Sequence, residues 1–488
     1  MARRTSLFTI FLVVFIDLVG FGMVLPNLQL YGQQFGITNY FALTLIGATY
    51  SLFQFVFAPI LGTWSDHIGR RPVLLISQIG TFVGFMILFG ANFFRGPDAW
   101  IGIIMIFGSR ILDGISGGNI STANAYIADI TTPENRTKGM ALIGVAFGLG
   151  FVFGPLLGGL VGGTPALGVA YVPVFAGAFS LVAFLMTYFF LGESLVKQRP
   201  AAGQPPRRFS VRGLQHALQR PIVAPLIIMF FVNGFAFAGM EGTFSLLIQH
   251  RFFPIAAYTG PLAAHRVTPH PALGAGHKLL PPTGSAASSA TAASTATQAR
   301  RAADDHASRA SGILFGCIGV VIVLFQGGFV RRLAKRYGEP SLVITGPLII
   351  ALGLIMVAIP VDWAWKWTGF AIGGGLLAIG SALFTPSLQS LISRHCAEHE
   401  QGEILGANQG MASLARALGP ATAGVMFEWV TPETPYYFSA ALAVMVSIGA
   451  LMMGHRLRPP APKNAAAEDD ATAAGNEAPT SEIGTENV

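Results

Sequence analysis

Five ionisable side chains lie inside long apolar stretches of this sequence: Asp17, Arg110, Asp113, Glu241 and Arg416. A charge at the centre of a bilayer costs about 2.5 to 3.5 kcal/mol, and such residues are normally kept for function. A carboxylate that pairs with arginine in one state and is neutral in another can carry a proton, because losing its partner and its water favours the protonated form. These five residues are therefore the first candidates for chemistry.

Asp17, Arg110 and Asp113 form the predicted proton-coupling group. Asp17 lies about ten residues into the first apolar stretch and Arg110 about eleven into the fourth, so at about 1.5 Å per residue both fall near the membrane midplane. We expect Asp17 and Arg110 to be able to meet. The structural alternative is a permanent ion pair that fixes two helices. Asp113 has three open roles, as a proton site, as a contact for a cation, or as the partner of Arg110 or Arg416.

Five polar side chains are predicted to line a substrate cavity. Asn124 follows Asp113 by eleven positions, which on a continuous α-helix separates them by only about 20°. Glu241 either attracts a cationic or polar substrate or reaches interfacial water as an edge residue. The other three could instead bond to neighbouring helices; they are Asn233, Gln389 and Asn408.

Membrane-spanning helices must position these side chains. Of the 488 residues 52% are hydrophobic and only 11% are charged, which excludes an ordinary soluble enzyme and a disordered chain. A helix of about 20 apolar residues crosses the hydrocarbon with its backbone bonded internally. The sequence predicts an all-α membrane protein with twelve such spans, at 6–28, 41–62, 72–91, 99–127, 139–162, 168–191, 221–248, 310–330, 340–360, 367–392, 403–428 and 435–455.

Twelve spans predict two bundles of six helices. The expected parts are an N-terminal bundle at 1–191, a cytoplasmic linker at 192–220, a C-terminal bundle at 221–458 with a low-complexity loop at 253–309, and a tail at 459–488. The loop and the tail hold too few large apolar residues to pack, which predicts disorder. The first apolar run contains Asp17 and has no small-residue cleavage site, so we interpret it as a span and not as a secretory signal.

The basic residues predict the orientation. Twenty Lys and Arg fall in the segments on the side of the N-terminus, whereas the short loops on the other side hold only Arg95 and Lys366. Because cytoplasmic loops carry the excess of basic residues, both termini are expected to be cytoplasmic. The formal net charge of +7 does not predict a nucleic-acid partner, since so few charges leave no surface dense enough for many phosphates.

The turn between the second and third spans has the sequence GTWSDHIGRRPVLL. A charged turn facing water would suffice as an explanation, but the spacing is more specific. It resembles the G-x-x-x-D-x-x-G-R-R signature of the major facilitator superfamily, on Gly62, Asp66, Gly69, Arg70 and Arg71. The resemblance implies a cytoplasmic gate between spans two and eleven, with Asp66 at a helix N-terminus and Arg70 paired with Asp129. The second-half loop GGFVRRLAKRYGE keeps the basic residues but lacks the acid.

The fifth span contains GLGFVFGPLLGG. Small residues every four positions let membrane helices approach closely, which is the ordinary explanation. The combination also resembles the antiporter signature of proton-coupled drug exporters in the same superfamily, on Gly150, Gly154, Pro155, Gly158 and Gly159. Segments such as FIDLVGFGMVLP and IADIT resemble tetracycline exporters, although the third span has no acid near Gly84, where such exporters carry one.

The expected function is therefore export of small hydrophobic or amphipathic compounds, driven by the proton gradient, through alternating access of two pseudo-symmetric bundles of the major facilitator fold. The alternative on the same fold is a proton-coupled importer or facilitator of a polar metabolite. The expected partners are a small-molecule substrate, protons and lipid, with no cofactor or metal. A monomer in a bacterial inner membrane is expected.

A rival from another class is a membrane metalloprotease. His395, Glu398 and His399 form an H-x-x-E-H zinc pattern, although a third ligand would have to come from the tail or a charged loop. The scattered histidines of the 253–309 loop lack the spacing of a metal site. Cys317 and Cys396 stand in unrelated contexts and predict neither a disulfide framework nor a paired cysteine site.

Overall fold

The computed structural model describes residues 2–195, 218–254, 286–359, 366–396 and 401–457, which form helices and turns without a strand. Fifteen α-helices lie in these ranges: α1 Ala2–Val24, α2 Leu28–Gln33, α3 Tyr40–Ile68, α4 Arg70–Gly90, α5 Ala99–Ser116, α6 Ile120–Ile130, α7 Pro133–Gly162, α8 Val172–Phe190, α9 Val223–Phe252, α10 Ala286–Leu324, α11 Val330–Tyr337, α12 Glu339–Ala358, α13 Lys366–Arg394, α14 Gln401–Trp429 and α15 Thr434–Met453. Most of the predicted linker, the centre of the 253–309 loop and the whole tail lie outside the described residues.

The predicted spans correspond to these helices. Among the described residues, eleven helical segments are long and apolar enough to cross a membrane. The remaining predicted span corresponds to α14. This helix is 29 residues long, as α3 is, but it carries Asn408 and Arg416 and is therefore more polar. The all-α fold with twelve long helical spans is thus confirmed.

Two spans contain a break that the apolar pattern does not reveal. In the first span, a 3-10 turn at Leu25–Asn27, with Pro26 in it, separates α1 from α2. In the fourth span, a 3-10 turn at Gly117–Asn119 separates α5 from α6. Each residue of a 3-10 turn rotates the chain by about 120°, against about 100° in an α-helix, so the three residues at Gly117–Asn119 add about 60° of rotation. Asp113 and Asn124 therefore do not share the narrow helix face predicted for them.

The eighth span begins earlier than predicted. Helix α10 starts at Ala286, and its membrane-length segment runs from Gln298 to Leu324. The prediction of disorder up to residue 309 was therefore wrong for the part from 286 onward. Small side chains explain the difference, because they let this stretch pack tightly although it has few large apolar residues: Ala303, Ala307 and Ser308 are all fully buried.

The two halves repeat the same packing. In the first half α7 packs on α1 and also on α10 of the second half, while α14 packs on α9 and also on α3 of the first half. The turn glycines correspond as well, since Gly69 has φ +114° and Gly338 has φ +81°, a backbone region that favours glycine. The pseudo-symmetry expected from two related six-helix bundles is thus visible in the helix contacts.

The apolar core shows on which side the halves meet. We call the side with Ala2 and the Gly69 turn the terminal face, and the side with the Gly36 and Gly168 turns the opposite face. One core cluster contains residues of both halves toward the opposite face, such as Met23 and Phe244. Toward the terminal face each half has a separate cluster, around Ile127 in the first and Ile404 in the second. The two halves are therefore packed together on the opposite face.

Candidate functional site

A charge cluster on the terminal face contains the signature of the α3–α4 turn. The guanidinium of Arg70 lies 2.6 Å from an Asp66 oxygen and 3.0 Å from an Asp129 oxygen. The pair between Arg70 and Asp129 that the resemblance implies is present. Gly62 lies beside α6, where a Cβ would sit 3.2 Å from the Ser121 hydroxyl oxygen. The α3–α4 turn is thereby tied to the end of the fourth span.

Another acid lies at a helix N-terminus in this cluster. Asp66 lies in the last turn of α3, where it pairs with Arg70, and its predicted place at a helix N-terminus stays a prediction. Glu193 accepts hydrogen bonds from the backbone N–H groups of Arg70 and Arg71, at 2.9 and 3.2 Å. A carboxylate is favoured there because the first N–H groups of a helix have no partner within the helix. Arg71 also donates to the Tyr188 carbonyl, at 2.6 Å.

A buried ion pair lies near the middle of the fourth span. Arg110 donates to Asp113 over 3.1 Å, and the two side chains are only 2% and 3% exposed. Both residues belong to α5, so this pair does not tie two helices together. Phe85 of α4 faces the guanidinium at 5.4 Å. Of the partners left open for Asp113, the structure shows Arg110, while its roles as a proton site and as a cation contact stay predictions.

The predicted meeting of Asp17 and Arg110 is not seen. Asp17 on α1 instead accepts a hydrogen bond from the Asn119 amide at 3.1 Å, while its other oxygen is buried without a hydrogen-bond partner among the described residues. Asn119 stands at the end of the 3-10 turn between α5 and α6. The break in the fourth span therefore supplies the group that holds Asp17.

Arg416 connects the two halves at the level of this cluster. Its guanidinium lies 3.4 Å from the Gln54 side-chain oxygen, and the Gln54 amide donates to the Tyr50 hydroxyl at 3.0 Å and to the Gly117 carbonyl at 2.9 Å. Glu241 on α9 is 8% exposed. A polar chain thus runs from the second half to the break in the fourth span.

The other four predicted cavity residues lie on four different helices. Asn408 is buried on α14, and its carbonyl oxygen has no hydrogen-bond partner among the described residues. Asn124 and Asn233 are half-buried on α6 and α9. Gln389 is exposed five positions before the end of α13, only about 8 Å from the helix terminus at 1.5 Å per residue. Their common lining of a substrate cavity with Glu241 stays a prediction.

The glycines of the fifth span have two different contacts. A Cβ on Gly150 or Gly154 would lie 2.7 Å from Leu18 or Gly22 of α1, and one on Gly158 would overlap the Met23 carbonyl. Gly159 faces the other half, where a Cβ would lie 2.5 Å from the Gly312 Cα on α10. Pro155 lies within α7 between these contacts. One helix therefore contacts both the helix that carries Asp17 and the junction of the halves.

Polar contacts accompany this seam between α7 and α10. Ser308 donates to the Asn27 side chain at 2.5 Å, Ser245 donates to the Pro26 carbonyl at 2.5 Å, and Gln34 donates to Asp304 at 3.3 Å. Each joins the first half to the second on the opposite face. Together with the continuous core, they define a conformation closed on that face.

We expect Gly159→Val to open the seam. The added side chain has no room against Gly312, and overpacking costs about 1 to 3 kcal/mol, enough to shift a two-state equilibrium about tenfold. The measurement is the maleimide labelling rate of Ser308→Cys, a buried seam position, in purified protein with Cys317 and Cys396 changed to serine. Gly148→Val on the same helix is the control, since a Cβ there meets nothing within 4 Å. Equal labelling in both variants would contradict the assignment of the seam.

Several residues of the site were missed by the sequence patterns. Tyr50, Gln54, Asn119 and Glu193 carry no motif, and Asp304 stands in a stretch predicted to be disordered. Gln54 offered one signal, as an amide in the middle of an apolar span, but its distant partners come from the 3-10 turn after α5 and from α14 and depend on the packing. Glu193 accepts a hydrogen bond from Arg70, which lies 123 positions earlier in the chain, so no local pattern could reveal it.

The zinc pattern receives no support from the part of it that is described. The His395 ring bonds to the Leu391 carbonyl one turn earlier, at 2.8 Å. Glu398 and His399 lie outside the described residues. Within the described ranges no three His, Cys, Asp or Glu side chains are grouped so as to hold a metal ion.

Comparison with known proteins gives the family. The sequence profile of the Major Facilitator Superfamily matches residues 10–265 and 283–485. Major facilitator superfamily domain-containing protein 10 of Mus musculus is 25% identical over 476 residues, 88% of each chain. The class C tetracycline resistance protein of Escherichia coli is 28% identical over 426 residues, 86% of this chain and 89% of that protein.

The fold is shared with a solved transporter. The crystal structure of the human organic anion transporter MFSD10 (TETRAN) matches 92% of this chain and 99% of its own, with a TM-score of 0.59 and 23% identity. The likeness at this identity concerns the fold. Because the family profile covers most of the chain, this multi-pass membrane protein is a transporter and not an enzyme, and it belongs to the Major Facilitator Superfamily.

Proposed function

We propose that this transporter exports small apolar or amphipathic compounds in exchange for protons. The observation that carries the proposal is the environment of Asp17, a carboxylate within a membrane span that has, among the described residues, one amide partner and one oxygen without a hydrogen-bond partner. Protonation would remove the charge that is costly there. A carboxylate with so few partners is free to gain and lose a proton as its surroundings change.

The packing of α7 supports a link between Asp17 and the alternating movement. Three glycines of α7 pack closely against α1, the helix that carries Asp17, and Gly159 packs against α10 of the other half. A change at the seam would therefore shift α1 relative to Asn119. In this proposal the seam opens to release cargo, Asp17 takes up a proton from that side, and closure carries the proton across.

The terminal face is cytoplasmic in this proposal, and the membrane is the inner membrane of a bacterium. The twenty basic residues of that side against two on the other favour this orientation. The Escherichia coli tetracycline resistance proteins among the relatives favour the compartment. The charge cluster of Asp66, Arg70 and Asp129 would then close the cytoplasmic entrance when the halves rock the other way.

A second cargo class, organic anions, is favoured by Arg416. Its guanidinium is half-buried between the halves and bonds to the neutral Gln54 and Ser413 side chains. An anion entering there would find a positive charge close to the midplane. The relation to MFSD10, of which the human protein is described as an organic anion transporter, agrees with this choice.

We expect cells that express the chain to survive higher concentrations of at least one compound in a panel of apolar, cationic and anionic drugs than cells with an empty vector. Export lowers the internal concentration of its cargo. The minimum inhibitory concentration is the measurement. If no compound in the panel is tolerated better, drug export loses its support.

Inverted vesicles separate export from the alternative of import. Adding a cargo found in the panel to vesicles with an acid interior should release protons, since an exchanger moves cargo in and protons out. An importer that moves both in one direction would give no such release. The same assay in vesicles without the chain corrects for proton leak.

A further inference from the structure

The short helix α11 has two sharply different faces. Its sequence is VRRLAKRY, and four cations are exposed on it: Arg331, Arg332, Lys335 and Arg336. At about 100° per residue these four fall within an arc of about 140°. Val330, Leu333 and Ala334 lie on the other side and pack against an apolar cluster that includes Leu342 and Leu383. The helix is thus fixed to the bundle by one face, and the other face is strongly basic.

The equivalent turn of the first half uses its cations within the protein. Arg70 is buried against Asp66 and Asp129, and Arg71 bonds to the Tyr188 carbonyl. The second-half turn has lost the corresponding acid. Its remaining acid, Glu339, pairs with Arg394 at 3.0 Å, and within the described residues none of the four cations of α11 pairs with a carboxylate. These four exposed charges are therefore available to an anionic partner outside the bundle.

The neighbouring exposed residues point to lipid. Leu324 and Phe329 precede α11 and Tyr337 ends it, and they are 63%, 54% and 55% exposed. Large apolar and aromatic side chains flanking a cationic helix at the end of a membrane span are typical of a helix at the bilayer surface. A partner in water would match the charges but not these apolar side chains. Four basic residues next to a span are enough to attract anionic headgroups.

We propose that the basic face of α11 binds anionic phospholipid headgroups. Guanidinium groups match phosphate oxygens in geometry and charge, and Arg336 lies over the Tyr337 ring at 5.4 Å. Aromatic side chains are enriched where a membrane span meets the headgroups. The inference is independent of the cargo, of the direction of transport and of proton coupling.

The test uses the purified full chain in detergent, with phosphatidylglycerol as the anionic lipid and phosphatidylcholine as the neutral one. We expect phosphatidylglycerol to raise Tm at lower concentration than phosphatidylcholine. Changing Arg331, Arg332, Lys335 and Arg336 to Gln should raise the half-maximal phosphatidylglycerol concentration roughly 700-fold, since each of the four charges near an anionic surface contributes to the attraction. Replacing the three arginines by lysine should keep the response, and added salt should weaken it.

A control variant changes Arg199, Arg207, Arg208 and Arg212 in the linker to Gln, the same loss of charge elsewhere. An equal loss of response in this control, or no preference for phosphatidylglycerol in the unchanged chain, overturns the proposal. The acidic tail is the competing partner. If truncation after residue 458 is needed before phosphatidylglycerol acts, the tail occupies α11 and the lipid proposal is wrong.

Discussion

We expect Asp17→Asn to abolish uphill export while leaving the protein folded. Asparagine has the same size and its carbonyl can still accept the hydrogen bond from Asn119, but it cannot bind and release a proton. One proton moving down 100 mV supplies about 2.3 kcal/mol, which corresponds to about a 50-fold concentration ratio of a neutral cargo. That ratio should fall to about one in the variant.

The measurement is accumulation of a cargo identified in the drug panel, in energised inverted vesicles with and without an uncoupler. Asp98→Asn is the matched control, because it makes the same change at an exposed turn before α5 and should leave accumulation intact. Cargo that is still concentrated by Asp17→Asn, with full sensitivity to the uncoupler, would remove Asp17 from the coupling site.

The second large effect concerns the buried pair on α5. Arg110→Met leaves the Asp113 carboxylate buried without its partner, and breaking such a pair costs about 3 to 5 kcal/mol of the free energy of unfolding. We expect a clear fall in thermal stability and loss of export. Adding Asp113→Ala removes the stranded charge, so the double variant should recover most of the stability.

Export in the double variant decides what the pair does. If the pair only fills space inside the bundle, recovery of stability should restore export. We expect export to stay lost, because ionisable side chains inside a membrane span are normally kept for function and this buried pair lies beside Phe85. A stable double variant that transports normally would show that the Arg110–Asp113 pair has no part in transport.

Helix positions were the easiest features to predict. Lipid leaves a backbone no alternative to internal hydrogen bonds, so every long apolar stretch except the eighth became a helix close to its predicted limits. The α3–α4 turn was equally accessible, since its residues are close in sequence and Arg70 reaches Asp66 within one helical turn. The eighth span was placed too late because hydropathy undervalues small residues, although Ala303 is fully buried and Ser308 packs on Gly159 and Gly162 of α7.

The pairing of the buried charges could not be predicted in the same way. Counting residues from the start of each span placed Asp17 and Arg110 at the same depth in the membrane. Such a count does not give the direction in which each side chain points around its helix. The 3-10 turn at Gly117–Asn119 changes that rotation and presents Asn119 to Asp17, while Arg110 bonds to Asp113 of its own helix. The contacts of Gln54 and Glu193 could not be predicted for a related reason, since their partners are far away in the chain.

The sequence alone determined the membrane, the helices and the two-half repeat, because these follow from local composition and from motifs of a few residues. Only the tertiary structure decided which charges meet, which glycines face α1 and which face α10, and on which face the halves are joined. These are properties of helices packed against each other, and a rotation or shift of one turn changes every partner without altering the apolar pattern that made the helices.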